Sequence, residues 1–324
     1  MNNQQTLTEQ IELLCVGDVT LDIFLHIEKE SEFVKFDASS NLLSFLSGSK
    51  IMADKVSYLP GGNANNVAVG TKRLGINSEI IAETGSDEFS DILIHHLKNA
   101  NVNISHLYQN PSASATFSVN LFYINEKIIF IHHVIREHNL DLENLNPKNI
   151  FLTSVGENWE SLYQKTLSLK KTTNAKLFFN PGSHQLIKGA ESFKDVLTLT
   201  DILFVNKEEA EKILFDKINN SQINDLLNGI KKTGVKNVCI TDGARGAYFL
   251  DEKDNFYSQD AISSKIINKT GAGDAFTSGF LGAYLKSNDI KTCLKWGSLN
   301  SKSVMEKVGA QTGLLQLEQM ESNF

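Results

Sequence analysis

Short apolar runs recur along the chain, and glycine or polar residues bound each of them. The first run, Ile11–Val16, stops at Gly17 and Asp18, which is the pattern of a buried strand that ends in a sharp turn. We therefore expect this strand to be fully buried. The same pattern predicts further strands at 79–82, 150–155, 175–179, 202–205 and 235–241.

Segments with helical spacing lie between these runs. Residues 91–100, 207–215 and 223–233 each place their apolar side chains on one face of a helix. Strands that alternate with helices of this length are typical of a mostly parallel sheet covered by helices on both faces. The expected class is therefore an α/β fold with three layers.

Two segments break this alternation. Apolar and polar residues alternate over 115–123, and a short turn and a second apolar run follow, which predicts an antiparallel hairpin. The long stretch Phe24–Leu59 mixes short apolar runs with polar residues. We place both outside the main sheet, as a small β lid formed by parts of 23–60 and 113–135. Because no linker-like composition divides the chain, we expect a single domain over 1–324.

Composition and charge narrow the classes of partner. The 324 residues are 41% hydrophobic and carry a net charge of −7, so a broad basic patch for nucleic acid is not expected. No run reaches about 18 apolar residues and the N-terminus lacks a signal-peptide pattern, which predicts a cytoplasmic protein without a membrane segment. Cys15, Cys239 and Cys293 show no metal-ligand spacing, and we expect them to be reduced and buried.

The most informative segment is a glycine-rich turn at Lys269–Asp274 that enters a helical pattern. Such a turn exposes unpaired N–H groups at the positive end of a helix, where an anion can bind. Because a carboxylate repels phosphate, Asp274 needs another role there, such as accepting a proton from a hydroxyl that attacks phosphorus. We expect the positive field to keep Asp274 ionised at neutral pH. An aspartate that only caps the helix is the alternative.

Residues that could bind the hydroxyl groups of a substrate occur in two places. Some directly follow the first strand, and others stand at the start of a later helix. Ligands of open α/β sheets bind at the carboxyl ends of strands, where carboxylates and amides can hydrogen-bond hydroxyls. Paired glycines let a backbone approach a ligand closely. Taken alone, a capped helix start and a turn with solvated aspartates explain the same residues. They are Asp18, Asp22, Gly61, Gly62, Asn63 and Asn66.

Together these motifs resemble the ribokinase family of carbohydrate and nucleoside kinases, also called the PfkB family, from Ile11 to Leu314. The first family signature is GGxxxNVA at 61–68, followed by RLG at 73–75, and the second is TGAGDAF at 270–276. No GxxxxGK[ST] occurs and no GxGxxG follows the first strand, which argues against P-loop and Rossmann proteins. Further family motifs are matched at 85–89, 206–209, 241–247, Asn300 and 309–310.

The resemblance implies a three-layer ribokinase-like fold with a small β lid that closes over the site. It also implies transfer of the γ-phosphate of ATP to a hydroxymethyl group of a small sugar, with Mg²⁺ as cofactor. Asp274 would then be the base for the sugar hydroxyl. The anion hole for the transferred phosphate would be Gly271, Ala272 and Gly273.

The resemblance also implies where the other ligands bind. Asn206 and Glu209 would organise Mg²⁺ and its waters. Glu157, which follows a predicted strand, is a further candidate for contact with the sugar. The implied nucleotide residues are Asn206, Thr241, Gly243, Gly246 and Asn300, and the implied sugar residues are Asp18, Asp22, Gly61, Gly62, Asn63 and Asn66.

Asn268 is a departure from the family pattern, which usually has an aspartate two residues before the threonine of TGAGD. In many members this aspartate helps to bind a monovalent cation. The neutral amide of Asn268 weakens such a site, which argues against a K⁺ requirement.

The sequence leaves the acceptor open. A nucleoside kinase on the same fold is the alternative to a sugar kinase, so the expected partners are ATP and a small sugar or nucleoside. A catalytically silent module that senses a sugar or a nucleotide is an alternative of another class. A lid with an exposed apolar face also predicts a homodimer formed through the lid.

Overall fold

The structure is a computed structural model, and it describes residues 10–124, 126–214 and 222–323. The strands are β1 (Leu13–Val16), β2 (Thr20–Ile27), β3 (Val34–Asp37), β4 (Leu42–Phe45), β5 (Lys55–Gly61), β6 (Ser78–Thr84), β7 (Asn103–Gln109), β8 (Phe117–Tyr123), β9 (Glu126–His132), β10 (Asn149–Leu152), β11 (Lys176–Phe179), β12 (Ile202–Asn206), β13 (Asn237–Thr241), β14 (Ala247–Leu250) and β15 (Phe256–Gln259). The helices are α1 (Asn63–Arg73), α2 (Glu88–Asn99), α3 (Glu160–Thr173), α4 (Ser183–Lys188), α5 (Lys194–Leu199), α6 (Lys207–Ile213), α7 (Ile223–Lys231), α8 (Ala272–Leu285), α9 (Ile290–Met305) and α10 (Leu317–Glu321).

The largest sheet of the described residues has the strand order β15-β14-β13-β12-β11-β10-β1-β6-β7. The strands from β13 to β7 pair in parallel, and β14 and β15 continue one edge as antiparallel strands. Every residue of β1, β6 and β10 is buried, as expected where helices cover both faces. The prediction of a mostly parallel three-layer α/β fold is confirmed.

Alternate residues of β1 enter two cores, one on each face of the large sheet. Leu14 and Val16 belong to a core completed by α3, α5, α6 and α7. Leu13 and Cys15 belong to the other core, which α1, α8 and α9 complete. All three cysteines are buried and free, as predicted.

The predicted helices are present, with shifts at their ends. The helix predicted at 91–100 is α2, and it begins earlier because the Asp87 side chain accepts a hydrogen bond from the Ser90 amide and caps the first turn. The helix predicted at 207–215 is α6, and Phe215 lies outside the described residues. Within the described ranges, no helix combines the length and apolar composition that crossing a membrane requires.

A second sheet, which we call the small sheet, has the order β5-β2-β8-β9. Strand β8 pairs in parallel with β2 and antiparallel with β9, so the predicted hairpin is confirmed, although its turn residue Asn125 lies outside the described residues. Most of the stretch Phe24–Leu59, which we expected to form part of a small β lid, belongs to the small sheet or to the β3–β4 hairpin. The function of the small sheet as a lid, and the single-domain organisation, stay predictions.

The β3–β4 hairpin packs against one end of the small sheet. Val34 of β3 and Leu43 of β4 share an apolar cluster with Ile27, Leu121 and Tyr123 of the small sheet. Part of the stretch Phe24–Leu59 therefore covers one end of the small sheet.

Candidate active site

One cavity gathers polar residues at the carboxyl ends of the central strands. Asn180, Asn206 and Thr241 stand at or just after the ends of β11, β12 and β13, and the turn that precedes α8 completes the lining. This is the position that open α/β sheets use for ligands. The predicted site residues in this cavity are Asn63, Asn206, Glu209, Thr241, Gly271, Ala272, Gly273 and Asp274.

The first turn of α8 is suited to bind an anion. Gly271 precedes the helix with φ of 77°, and a Cβ there would lie 2.3 Å from the Cβ of Ala310, so only glycine fits. In the described ranges, no backbone carbonyl accepts a hydrogen bond from the amides of Gly271, Gly273 or Asp274. A Cβ on Gly273 would meet no atom within 4 Å, so the turn is open at this point. Free amides at a helix N-terminus attract negative charge.

Asp274 lies in this turn with one carboxylate oxygen held in place. Its Oδ2 accepts a hydrogen bond of 2.8 Å from Nδ2 of Asn66. Burial, with smaller contributions from the carboxylates of Glu209 and Asp22, raises the pKa of Asp274 to about 7, although the hydrogen bond from Asn66 opposes this rise. Burial and these like charges therefore oppose the positive field of the helix terminus, which we expected to keep Asp274 ionised at neutral pH.

Asn66 does not cap α1 as a lone helix start would suggest. Its Nδ2 donates to Asp274, and its Oδ1 accepts a hydrogen bond of 2.9 Å from Nε2 of Gln311. Oε1 of Gln311 in turn lies 2.9 Å from Nε2 of His96. The N-cap residue of α1 is Gly62, which has no side chain with which to cap the helix. Asn66 thus supports Asp274, and its predicted contact with the sugar stays a prediction.

Asp18 and Asp22 stand next to the paired glycines. Oδ1 of Asp22 accepts a hydrogen bond of 2.6 Å from Oγ of Ser118, and burial raises its pKa. Burial also raises the pKa of Asp18 to about 7. A Cβ on Gly61 would lie 2.5 Å from Oδ2 of Asp22, and one on Gly62 would lie 2.4 Å from the carbonyl oxygen of Asp18. The glycines therefore let the chain pack against both aspartates.

Asn206 and Glu209 form a reciprocal cap at the start of α6. Oδ1 of Asn206 accepts a hydrogen bond of 2.9 Å from the Glu209 amide, and Oε2 of Glu209 accepts one of 2.9 Å from the Asn206 amide. Burial raises the pKa of Glu209. The cap fixes the Glu209 carboxylate at the cavity wall, near enough to Asp274 to act on its pKa.

Nine predicted site residues lie outside the lining of this cavity. Five of them, Asp18, Asp22, Gly61, Gly62 and Asn66, are described above, and the other four are Glu157, Gly243, Gly246 and Asn300. Asn300 is fully buried, and its amide bonds the Ala275 carbonyl and the Leu315 amide, so it ties α8 and α9 to the C-terminal segment and its predicted contact with a nucleotide is not supported. Glu157 is exposed. Gly243 and Gly246 lie in the turn between β13 and β14, with φ of 52° and 97°.

Asn180 and Lys127 are site residues that the motif analysis did not select. Oδ1 of Asn180 lies 3.4 Å from Nδ2 of Asn63, and its position just after β11 is a signal that the sheet-edge rule could have used. Nζ of Lys127 donates a hydrogen bond of 3.0 Å to Oγ1 of Thr270, although 143 positions separate them. No local pattern predicts such a contact.

Comparisons with known proteins find similar sequences and structures along most of the chain. Residues 30–317 match the family described as pfkB family carbohydrate kinase. The nucleoside kinase of Methanocaldococcus jannaschii is 28% identical over 306 residues, which covers 94% of this chain and 93% of that protein. Its crystal structure is similar with a TM-score of 0.77 at 27% identity, over 96% of this chain and 97% of that chain.

Two more distant structures share the fold. The ribokinase of Arabidopsis thaliana, complexed with ribose and ATP, has a TM-score of 0.80 at 18% identity, over 96% of this chain and 98% of that chain. The nucleoside kinase of Burkholderia thailandensis, in complex with inosine, has a TM-score of 0.77 at 16% identity, over 96% and 95%.

The fold and the site define a phosphotransferase of the ribokinase fold. The chain belongs to the pfkB family of carbohydrate kinases. It is an ATP-dependent kinase with an alcohol group as acceptor. The family resemblance inferred from the sequence is confirmed.

Proposed function

We propose that the protein transfers the γ-phosphate of ATP to a hydroxymethyl group of a small, uncharged sugar. The observation that supports this proposal best is the position of Asp274 in the first turn of α8, held by Asn66 and flanked by open amides. Asp274 takes the proton of the attacking hydroxyl. The amides of Gly271 and Gly273, with Ala272 between them, stabilise the charge of the transferred group.

The acceptor side favours a neutral polyhydroxy compound. Asp18 and Asp22 accept hydrogen bonds from hydroxyls and repel a substrate that carries its own phosphate. Asn63 and Asn180 add neutral donors and acceptors. Arg136 offsets this charge only in part, because its guanidinium also lies 3.8 Å from the Glu83 carboxylate and donates to the Ser114 carbonyl. A sugar phosphate is therefore a poor acceptor.

Mg²⁺ is the expected cofactor, together with ATP. Proteins usually hold Mg²⁺ through one or two carboxylates, phosphate oxygens and waters, so a cluster of three acidic ligands is not required, and the described residues contain none. Glu209 can supply such a carboxylate, since its side chain lines the cavity and a hydrogen bond from the Asn206 amide holds it in place. When bound, Mg²⁺ neutralises charge on the phosphates. We place the rest of the nucleotide beside Thr241 and the turn with Gly243 and Gly246.

We expect no K⁺ requirement. Oδ1 of Asn268 accepts a hydrogen bond of 2.8 Å from the Thr270 amide, and its buried Nδ2 has no hydrogen-bond partner among the described residues. An amide N–H₂ group is a donor and cannot ligate a cation. The side chain at this position thus disfavours a monovalent cation.

The small sheet is the proposed lid, and it excludes water from the transferred group. Its edge strand β9 leaves Ile129, Phe130 and Ile131 exposed. An exposed apolar edge strand can pair with another strand, and a second copy of the same chain offers an identical edge. We therefore also propose a homodimer formed through β9.

A nucleoside is the second candidate acceptor, and a group of aromatic side chains near Asp18 favours it. Ser154 hydrogen-bonds Asp18, and a Cβ on Gly182 would clash with Ser154, so α4 begins close to this aspartate. The rings of His133 and His184 meet there with centroids 5.3 Å apart. These rings offer stacking and hydrogen bonds to a nucleobase. The two nucleoside kinases among the relatives support the same acceptor.

One panel of acceptors tests both candidates. We expect ATP-dependent ADP release with one of ribose, fructose, 2-keto-3-deoxygluconate, adenosine, cytidine or inosine. Turnover of free sugars alone supports the first proposal, and turnover of nucleosides that His184→Ala weakens supports the second. Binding of ATP without turnover of any hydroxyl acceptor would instead favour a sensing module.

A further inference from the structure

Lys127 connects the small sheet to the anion site. It lies near the start of β9, in register with Phe122 of β8, and its Nζ donates a hydrogen bond of 3.0 Å to Oγ1 of Thr270. Thr270 directly precedes Gly271. An ammonium group carried by the small sheet therefore lies beside the open amides of the first turn of α8.

Two groups near Lys127 attract its ammonium charge, although partial burial opposes them and the pKa of Lys127 is lowered overall. Nζ lies 5.4 Å from the centroid of the Phe122 ring, which attracts a cation. Burial lowers the pKa of Lys127, and the negative charge of Asp22 raises it. The hydrogen-bond donor to Asp22 is Ser118, so Lys127 is attracted by this carboxylate while its own hydrogen bond goes to Thr270.

We propose that Lys127 is a catalytic residue that contacts the transferred phosphoryl group when the small sheet covers the site. The inference rests on the proposed function. Asp22 faces the acceptor and Thr270 borders the turn for the phosphate, and Lys127 interacts with both. A phosphoryl group that moves from ATP to the acceptor passes between these two residues.

The step leaves the ammonium group chemically unchanged. The acceptor oxygen bonds to the γ-phosphorus, the bond from that phosphorus to the bridging oxygen of ADP breaks, and the hydroxyl proton goes to Asp274. Lys127 donates hydrogen bonds to the non-bridging oxygens, over which the charge is spread in the transition state. Contacts that strengthen in the transition state raise turnover.

In this arrangement, the movement of the small sheet that covers the acceptor substrate also brings a cation to the γ-phosphate of ATP. Asp22, Ser118 and Lys127 all belong to the small sheet, so the element that contacts the acceptor also delivers the cation. When the small sheet is displaced, the phosphoryl group lacks this cation.

The test compares Lys127→Met, which keeps the aliphatic stem, with Lys127→Arg, which keeps the charge. Lys35→Met is the matched control, because Lys35 is an exposed lysine of β3. We expect turnover of Lys127→Met to fall about 10–150-fold, as for loss of a hydrogen bond to a charged group. Lys127→Arg should recover most of this loss, and Lys35→Met should equal the wild type. All variants should melt within a few degrees of the wild type.

A binding measurement distinguishes contact with the γ-phosphate from a general contribution to nucleotide binding. We expect Lys127→Met to lose about tenfold in affinity for a non-hydrolysable ATP analogue, measured with Mg²⁺ by calorimetry, and to keep its affinity for ADP. Unchanged turnover, or equal losses for the analogue and ADP, would overturn the inference. If the wild type phosphorylates no acceptor in the panel, the proposed function fails, while this pair of affinities still decides whether Lys127 contacts the γ-phosphate.

Discussion

Asp274→Asn tests the catalytic base and its electrostatic environment together. Asparagine has nearly the same shape and can still accept the hydrogen bond from Asn66, but it cannot take a proton from a hydroxyl. We expect turnover to fall by about 10²–10⁴-fold, the usual contribution of a general base. ATP binding should persist. A residue that only caps the helix would leave activity nearly intact, because asparagine caps as well as aspartate.

The same substitution should change how stability depends on pH. Burial raises the pKa of Asp274 from 3.8 to about 7, so the folded protein binds this proton more tightly than the unfolded chain. Ionisation of Asp274 therefore destabilises the fold, and the penalty grows as the pH rises from 3.8 to about 7. Linkage gives a penalty of about 2 kcal/mol at pH 5 and about 4 kcal/mol at pH 8. The stability of the variant relative to the wild type should thus increase by about 2–3 kcal/mol across this range.

Urea unfolding at pH 5, 6, 7 and 8 measures this difference. Asp289→Asn is the matched control, because Asp289 is an exposed aspartate whose carboxylate caps α9 and whose pKa lies below its usual value. Its effect on stability should not change between pH 5 and pH 8. A difference for Asp274→Asn that stays constant with pH would refute the electrostatic argument, and turnover within tenfold of the wild type would refute the role as a base.

Four further expectations can be measured on the same protein. The acid limb of kcat/KM for the wild type should have its midpoint at about pH 7, where the buried Asp274 ionises, and a midpoint below pH 5 would contradict this. Asp22→Ala should raise KM for the phosphate-accepting substrate about 10–150-fold and leave KM for ATP unchanged, since it removes hydrogen bonds from the substrate hydroxyls to a charged carboxylate. Equal effects on both KM values would indicate a structural role. Glu209→Gln should lower turnover and raise the Mg²⁺ concentration needed for half-maximal rate, and an unchanged Mg²⁺ titration would exclude the metal role. Sedimentation should find a dimer that Phe130→Lys dissociates, whereas a monomeric wild type would remove the proposed interface.

The sequence predicted the inner strands of the large sheet because they are short apolar runs separated by helices, whereas β7, β14 and β15 at its edges were not predicted. Runs such as Ile11–Val16 and 150–155 carry this signal locally, and the strands appear as β1 and β10. The TGAGD turn was also predictable, because glycine at 271 is required by a positive φ and by the close approach to Ala310. Local patterns of this kind need no knowledge of distant contacts.

Features that depend on distant contacts were not predictable in this way. Asn300 fits a family position, but whether its side chain faces a ligand or the interior depends on the packing of α8 against α9. The ionisation of Asp274 depends on Glu209 and Asp22, which come from other parts of the chain. Lys127 reaches Thr270 only because the small sheet folds back over the turn before α8.

The hydrogen bonds that connect His96, Gln311, Asn66 and Asp274 all run in one direction, with each residue donating to the next. When Asp274 is ionised, its Oδ2 can only accept, so Asn66 presents its N–H₂ group to it and the oxygen of Asn66 is left to accept from Gln311. The oxygen of Gln311 then faces His96, so the neutral ring of His96 carries its hydrogen on Nε2. Both amides are thereby locked against a flip by a carboxylate. Since Oδ2 already accepts a hydrogen bond from Asn66, we expect Oδ1 to be the oxygen of Asp274 that receives the proton of the acceptor hydroxyl.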